Sequence, residues 1–420
     1  MIVTPITTCR ICRGSELEVI MDLGEFALCG RFPAANEPDP PRAPLVLLFC
    51  HGCGLVQLRH NFELDELFRH HYGYRSGINA TMTRHLAEIA QLASRLCDLQ
   101  AGDVILDIGS NDATLLKSYA VPGLRRIGLD PTIELFREHY PADVAASPEY
   151  FSATGFMAQS GTARAKVITS IAMFYDLPDP HAFVADIARV LDDRGVWIFE
   201  QSYLPTMLTS QSVDTICHEH LEYYCLSQIV DLLSRHGLRV FDATLNDANG
   251  GSVRVCACHA GASFPTASRV QDMLDHERKG GYLTMKPYAT FRNTAFAVRD
   301  RLRNFIDEET KRGRTVYAYG ASTKGNSLLQ FCRLTSQSII AAADRNPAKW
   351  GRRTPATGIP ILSEDEVRRR KPDYFLVLPW HFRAEFLARE QEFLAAGGRF
   401  LFPLPQFSVV DSSSQQDAAR

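Results

Sequence analysis

The chain has 420 residues, a formal net charge of −3 at pH 7, 45% hydrophobic and 22% charged residues. That length exceeds what one hydrophobic core usually supports, so two or three domains are expected, and the balanced charge argues against a protein held to nucleic acid by phosphate contacts. There is no N-terminal basic-plus-apolar leader and no apolar run of membrane length, so the expectation is a soluble, cytoplasmic protein that engages no membrane.

Eleven cysteines, an odd count in a chain of this kind, are expected as thiols or metal ligands rather than disulfides. Cys9-Arg10-Ile11-Cys12 and Cys50-His51-Gly52-Cys53 are two C-x-x-C pairs, each able to present two thiolates from a tight turn. Four sulfurs around one zinc ion leave no place for water, so the site reads as structural. His51 is a competing ligand, and an iron–sulfur centre is the weaker alternative because nothing else in the chain resembles redox machinery. Cys29, Cys97, Cys217, Cys225, Cys256, Cys258 and Cys332 lack such spacing and read as small buried hydrophobes. Strands are expected at 44–49 and 55–58, flanking the second pair. The result is a metal-stapled module over 1–68 that should loosen before the rest when zinc leaves.

Next comes His70-His71-Tyr72-Gly73-Tyr74-Arg75-Ser76-Gly77, a polar-aromatic stretch ahead of an expected helix over 81–99. Its place makes it a candidate lid, with Tyr74 and Ser76 the residues to test. Val104-Ile105-Leu106-Asp107-Ile108-Gly109-Ser110-Asn111-Asp112 reads as strand, tight turn and helix start. About twenty residues later Ile127-Gly128-Leu129-Asp130 ends a second strand in an acid, the position from which a doubly wound sheet binds ribose hydroxyls. A dinucleotide fold would carry G-x-G-x-x-G there. One glycine followed by Ser110, Asn111 and Asp112 suits a cationic, phosphate-free nucleoside better, and S-adenosylmethionine fits. Asp107, Gly109, Asn111, Asp112 and Asp130 are the candidate cofactor residues.

Further strands are expected at 166–170 and 195–199, alternating with helices as in a parallel sheet over 69–295. Phe151, in the segment expected near the adenine, and Met173, after a strand passing beneath the cofactor, join the cofactor set; core packing is an equal alternative for 173–175. Tyr203, beyond the next strand, is assigned to substrate. His218-Glu219-His220 lacks the spacing that puts two imidazoles on one helical face for metal, and an acid–base role reads better, one histidine accepting a proton beside a carboxylate that fixes its tautomer. A helix over 288–311 leads to a third unit, 296–410, with strands at 315–319, 339–343 and from 374. Its first turn, Gly320-Ala321-Ser322-Thr323-Lys324-Gly325-Asn326, offers glycine, hydroxyls and Lys324 to phosphate oxygens without the order of a hydrolytic P-loop. The polar tail 411–420 reads as disordered.

These motifs resemble the nucleotide-sugar C-methyltransferases that act on 4-keto deoxysugars in antibiotic and polysaccharide pathways, over nearly the whole chain. Cys9, Cys12, Cys50 and Cys53 match the family's zinc module; 107–112 and Asp130 match its cofactor loop and ribose acid. Asp214 to His220 resembles its Asp-x-Ile-x-x-Glu-His motif, which makes His220 the base and Glu219 its polar neighbour. Tyr74 and Ser76 fall in the family's lid, and Asn249-Gly250-Gly251-Ser252-Val253-Arg254 resembles its Gly-Gly-x-x-Arg loop. The resemblance implies an α/β protein: a class I methyltransferase Rossmann-like parallel-sheet domain between a zinc-binding module and a C-terminal Rossmann-like domain. It further implies S-adenosylmethionine and one structural zinc as cofactors, and a nucleotide sugar as partner, with Ser76, Tyr203, Asn249 and Lys324 on the substrate side and Lys324 at its diphosphate. Tyr74, Glu219 and His220 form the implied catalytic set, His220 removing the C3 proton to give an enolate. Some relatives carry tyrosine and aspartate where this chain has Cys217 and His218, which puts the sugar and the methylated carbon in question. An O- or N-methyltransferase of another small molecule and a non-catalytic nucleotide-sugar binder are the alternatives.

Overall fold

The computed structural model describes residues 2–69 and 72–413. His70, His71 and the tail from 414 onward therefore lie outside the described residues. The N-terminal unit is built on a long hairpin, Leu17–Ala27 against Arg42–Cys50, followed by Val56–Leu58. Its four-stranded sheet is completed by Glu222–Tyr223, a strand two residues long from the far side of the central domain. The first of these strands was not expected from the sequence. Glu18, Asp22 and Glu25 interrupt its apolar positions, and its register shifts twice, at Val19/Met21 and Asp22/Glu25, which breaks the two-residue alternation that would mark it.

The central sheet has seven strands. Numbered along the chain they are Val104–Ile108, Arg125–Leu129, Val144–Ser147, Ala165–Ile171, Leu191–Ser202, Leu238–Asn246 and Ser252–His259, in the spatial order 3-2-1-4-5-7-6. Strands 1 to 5 pair in parallel and the seventh runs antiparallel to both of its neighbours. Strand order reverses between strands 1 and 4, the place where an open α/β sheet leaves a crevice for a ligand. Val104–Ile108 is buried at every position, because helices cover both faces and no residue is needed for solvent. Two apolar clusters fill those faces, one around Leu106, Phe174 and Trp197, the other around Ile105, Val167 and Ile198.

Lys286–Lys311 is one continuous helix that spans the expected boundary at 295. Tyr288, Phe291, Ala295, Leu302 and Ile306 form its buried stripe at helical spacing. Beyond it lies a six-stranded sheet ordered Ile361–Ser363, Ala342–Asp344, Val316–Tyr319, Tyr374–Val377, Arg399–Phe402 and Ser408–Val410, parallel except for the last strand. Its first corner repeats the central one. Asp344 accepts from the Ala321 amide at 2.7 Å and from the Asn346 amide at 2.8 Å, as Asp130 accepts from the Asn111 amide at 2.8 Å and the Thr132 amide at 2.6 Å.

The N-terminal module is not a separate bead. One core runs from Ile20, Phe49 and Leu58 through Leu204 and Ile216 to Tyr288, Ala318 and Phe400. Gln330 binds both the amide and the carbonyl of Ala27, at 2.8 and 3.1 Å, and Asn326 donates to the Cys29 carbonyl at 2.7 Å. Among the described residues no helix is long and apolar enough to cross a membrane.

Candidate active site

The candidate cofactor corner is held by its own backbone conformation and hydrogen bonds. Gly109 has φ +71°, and a Cβ there would stand 3.2 Å from Met173 Cγ, so the turn needs glycine for both its conformation and its closeness to Met173. Asp107 is 3% exposed and accepts from the Thr169 hydroxyl at 2.6 Å; burial pushes its carboxyl up to about 7. Asp130 Oδ1 takes both the amide and the hydroxyl of Thr132, and Oδ2 takes the Asn111 amide. Acceptor capacity therefore remains on Oδ2. Phe151 stands edge-on to Phe183, their centroids 5.2 Å apart.

Asn111 and Asp112 also do something the sequence did not suggest: they hold the candidate lid. Asn111 accepts from the Ser76 amide at 2.9 Å and donates to the Tyr74 carbonyl at 3.1 Å, while Asp112 accepts from the Gly77 amide at 3.0 Å. Asp112 thus spends its charge on the strap and on Arg75, 3.7 Å away, as well as on the Thr114 hydroxyl at 2.5 Å. Tyr74 as a residue is 44% exposed, its ring lies 6.4 Å from that of Tyr72, and burial of its hydroxyl pushes the phenol up to about 12.

His220 ends a buried turn. Its Nδ1 lies 2.8 Å from the Thr215 carbonyl, and since a carbonyl can only accept, Nδ1 carries the proton and Nε2 is left as a base. Thr215, rather than the expected Glu219, therefore fixes the tautomer. Glu219 turns away, toward the Gly30 amide and the Cys217 thiol. Burial, and then the ammonium of Lys324, push His220 down to about 3. Tyr175 meets the imidazole edge-on at 4.3 Å. A small cavity of about 10 Å³, one water's worth, touches His220, Tyr175, Ser202, Tyr203 and Thr215. Tyr203 contributes its ring there, because its hydroxyl donates to Glu277 at 2.7 Å.

Met173 and Tyr175 tie the two places together. One packs against Gly109 and the other against His220, and the two residues are separated by no more than about 7 Å of backbone. The segments around His220 also carry buried polar atoms without a protein partner: Asp176 Oδ1, Glu219 Oε2, Asp214 Oδ1, His381 Nδ1 and both amide atoms of Gln201. Interiors rarely leave such groups unpaired, so these atoms are candidates for contact with a polar ligand or with water. Asp176 and Gln201 were missed in the sequence. Asp176 follows the fourth strand of the sheet and Gln201 lies near the carboxyl end of the fifth, which was the available signal.

The third domain closes the site from the other side. Lys324 donates to the Asn249 carbonyl at 2.7 Å, and Trp380 donates to Asp214 at 2.9 Å. The Asn249 loop can fold this tightly because Gly251 has φ +118° and a Cβ on it would reach 2.1 Å from Thr206. Beneath the loop Glu200 accepts from His85 at 2.5 Å and from Arg254 and Asn246, each at 2.9 Å. The arginine of the glycine-rich segment is therefore engaged inside the protein, where it fixes the loop that meets Lys324.

At the metal centre the four thiols of Cys9, Cys12, Cys50 and Cys53 lie within 4.8 Å of one another, with Sγ–Sγ distances of 3.6 Å for Cys9–Cys53 and 3.4 Å for Cys12–Cys50. Zinc–thiolate bonds of about 2.3 Å in a tetrahedron place sulfurs about 3.8 Å apart, so the set fits one zinc ion. His51 faces Glu18 at 2.8 Å and is not part of the cluster.

Fold and site together define an S-adenosylmethionine-dependent methyltransferase with a zinc-binding module. Three family models match in succession: a zinc-binding domain over 9–68, a methyltransferase domain over 79–243 and a C-methyltransferase C-terminal domain over 247–405. The chain is 32% identical over 417 residues, 98% of its length and 99% of the relative's, to the C-methyltransferase NovU of Streptomyces niveus. It belongs to that family of C-methyltransferases. Solved structures with a similar fold include the mitomycin 7-O-methyltransferase MmcR, 19% identical, covering 44% of this chain and 55% of that one with a TM-score of 0.34. Another is the magnesium protoporphyrin IX methyltransferase of Synechocystis PCC 6803, 12% identical, with coverages of 42% and 79% and a TM-score of 0.32.

Proposed function

We propose that this C-methyltransferase acts on a nucleotide-linked 4-keto deoxysugar in the cytoplasm, with His220 as the base that removes the C3 proton. The observation that supports the reading is the short Met173–Tyr175 segment, one end against Gly109 and the other against the imidazole of His220, whose Nε2 is left as a base by the Thr215 carbonyl on Nδ1. A ketone acidifies the neighbouring C–H because the carbanion spreads onto oxygen. His220 Nε2 takes that proton as the C–H bond breaks. Bound S-adenosylmethionine supplies an electrophilic methyl on sulfonium. Asn111 and Asp130 would hold that donor with its methyl available to the enolate carbon, and His220, protonated by the first step, returns its proton to solvent.

Lys324 bears on the strength of the base. Its charge contributes to the depression of His220. A diphosphate or an enolate oxygen beside the ammonium would neutralise it and lift the imidazole toward the range useful for proton transfer at neutral pH. Asn249, Ser76 and the unpaired atoms of Asp176 and Gln201 are the further candidates for contact with the sugar nucleotide.

The test is deuterium exchange at C3 of a nucleotide-linked 4-keto-6-deoxyhexose together with methyl transfer. His220→Asn should lose both while binding S-adenosylmethionine with parental affinity. Full exchange and full methylation in that variant would remove His220 from the mechanism.

A further inference from the structure

The metal knuckle and the segment carrying His220 touch through one side chain. Arg10 lies between the ligands Cys9 and Cys12 and is 2% exposed. Its guanidinium points away from the metal. Nη1 donates to the Leu58 carbonyl at 2.8 Å and the Leu221 carbonyl at 3.5 Å, Nη2 donates to Asn61 Oδ1 at 2.7 Å, and Nε stands 3.3 Å from Glu222 Oε1. Leu221 follows His220 directly. Its amide donates to the Tyr175 carbonyl at 2.8 Å and its carbonyl accepts from the Leu58 amide at 2.8 Å, so a single residue joins the base, the ring that packs on it and the metal module.

A buried arginine–glutamate pair adds little net stability over a well-packed apolar filling. What its planar fork does supply is direction, because its donors fix where several acceptors lie relative to one another. Arg10 aims its donors at Gln57, Leu58, His60 and Asn61 on the module and at Leu221 on the His220 segment, with Glu222 at ion-pair distance and its own backbone held between two metal ligands.

We propose that Arg10 is a positioning residue: the metal knuckle holds its guanidinium, and through Leu221 and Glu222 the guanidinium sets where His220 points. The functional consequence rests on His220 being the base. The zinc module then contributes to turnover as well as to folding.

The experiment uses the full, zinc-loaded chain with labelled histidine rings. The His220 ring resonance, identified by its loss in His220→Asn, carries the ring-current shift of Tyr175 and reports the imidazole's position without substrate. In Arg10→Met and in Glu222→Gln that resonance should move. Deuterium exchange into a nucleotide-linked 4-keto-6-deoxyhexose should fall about tenfold to a hundredfold, as for a misplaced catalytic group. Affinity for S-adenosylmethionine, read by calorimetry, should not change, and Arg10→Lys should restore only part of the exchange, since an ammonium cannot fork. An unmoved resonance in zinc-loaded Glu222→Gln overturns the proposal, and this near-isosteric variant decides if Arg10→Met does not fold. Should His220→Asn keep its exchange activity, the base assignment falls by itself while the resonance still reads the positioning.

Discussion

His218 and His220 are two residues apart and are used differently. His218 is fully buried, binds the Ala43 carbonyl at 3.0 Å, packs edge-on to Phe62 and is pushed down to about 4, chiefly by burial. In the unfolded chain it protonates near 6.5, so between about pH 6.5 and 4 the unfolded state holds the extra proton and His218 favours unfolding as pH falls, by about 1.4 kcal/mol per pH unit. Buried carboxyls such as Asp176, Glu219 and Glu222 are raised by burial and work with the opposite sign, losing stability as pH rises. The informative quantity is therefore a difference. His218→Asn should flatten the acid limb of the melting profile relative to the parent between pH 6.5 and 4, and parallel profiles would refute the assignment. Asp107 and Asp130 could be singled out as candidate cofactor acids because a strand ending in an acid beside a glycine turn is a local pattern. Thr215 was not, since a backbone carbonyl that orients an imidazole has no signature in side-chain identity. Arg10 reads as an ordinary loop residue until Glu222, far along the chain, is brought to it.

At the scale of elements the lid and the cofactor turn behave as one. Asn111 has φ +49° and bridges the amide of Ser76 and the carbonyl of Tyr74 with one side-chain amide. Asn111→Ala should free the strap. Hydrogen exchange at 74–78 is expected to rise and the dissociation of S-adenosylmethionine to quicken, with the thermal midpoint changed by only a few degrees; exchange unchanged in that window would show that other contacts hold it. The sequence marked this stretch as polar and aromatic without regular period. What it could not supply is the docking partner, because the turn residues that grip the strap were already accounted for as cofactor ligands.

For the whole molecule, the sequence suggested three consecutive units, and the packing joins the first to the third. The Gln330 side chain pairs with both backbone groups of Ala27 in a buried setting, so Gln330→Ala leaves a donor and an acceptor unsatisfied and should destabilise the chain by roughly 1–3 kcal/mol. Chemical denaturation would read this, and a variant within 0.5 kcal/mol of the parent, roughly the scatter of neutral surface substitutions, would count against the seam. Zinc removal was expected to loosen the first module before the rest. With its sheet shared and its core continuous, chelation should instead lower one cooperative transition of the entire chain. A separate low-temperature transition confined to the first 68 residues would contradict that.

The strand Glu222–Tyr223 bears on how the protein is made. A ribosome releases the cysteine pairs long before it releases the residues that complete their sheet, so Val56–Leu58 waits with an unpaired edge while the long stretch up to Glu222 is still being synthesised. Cutting the gene after the cysteine module would make that temporary state permanent: the fragment could still bind zinc, but its open edge would favour self-association.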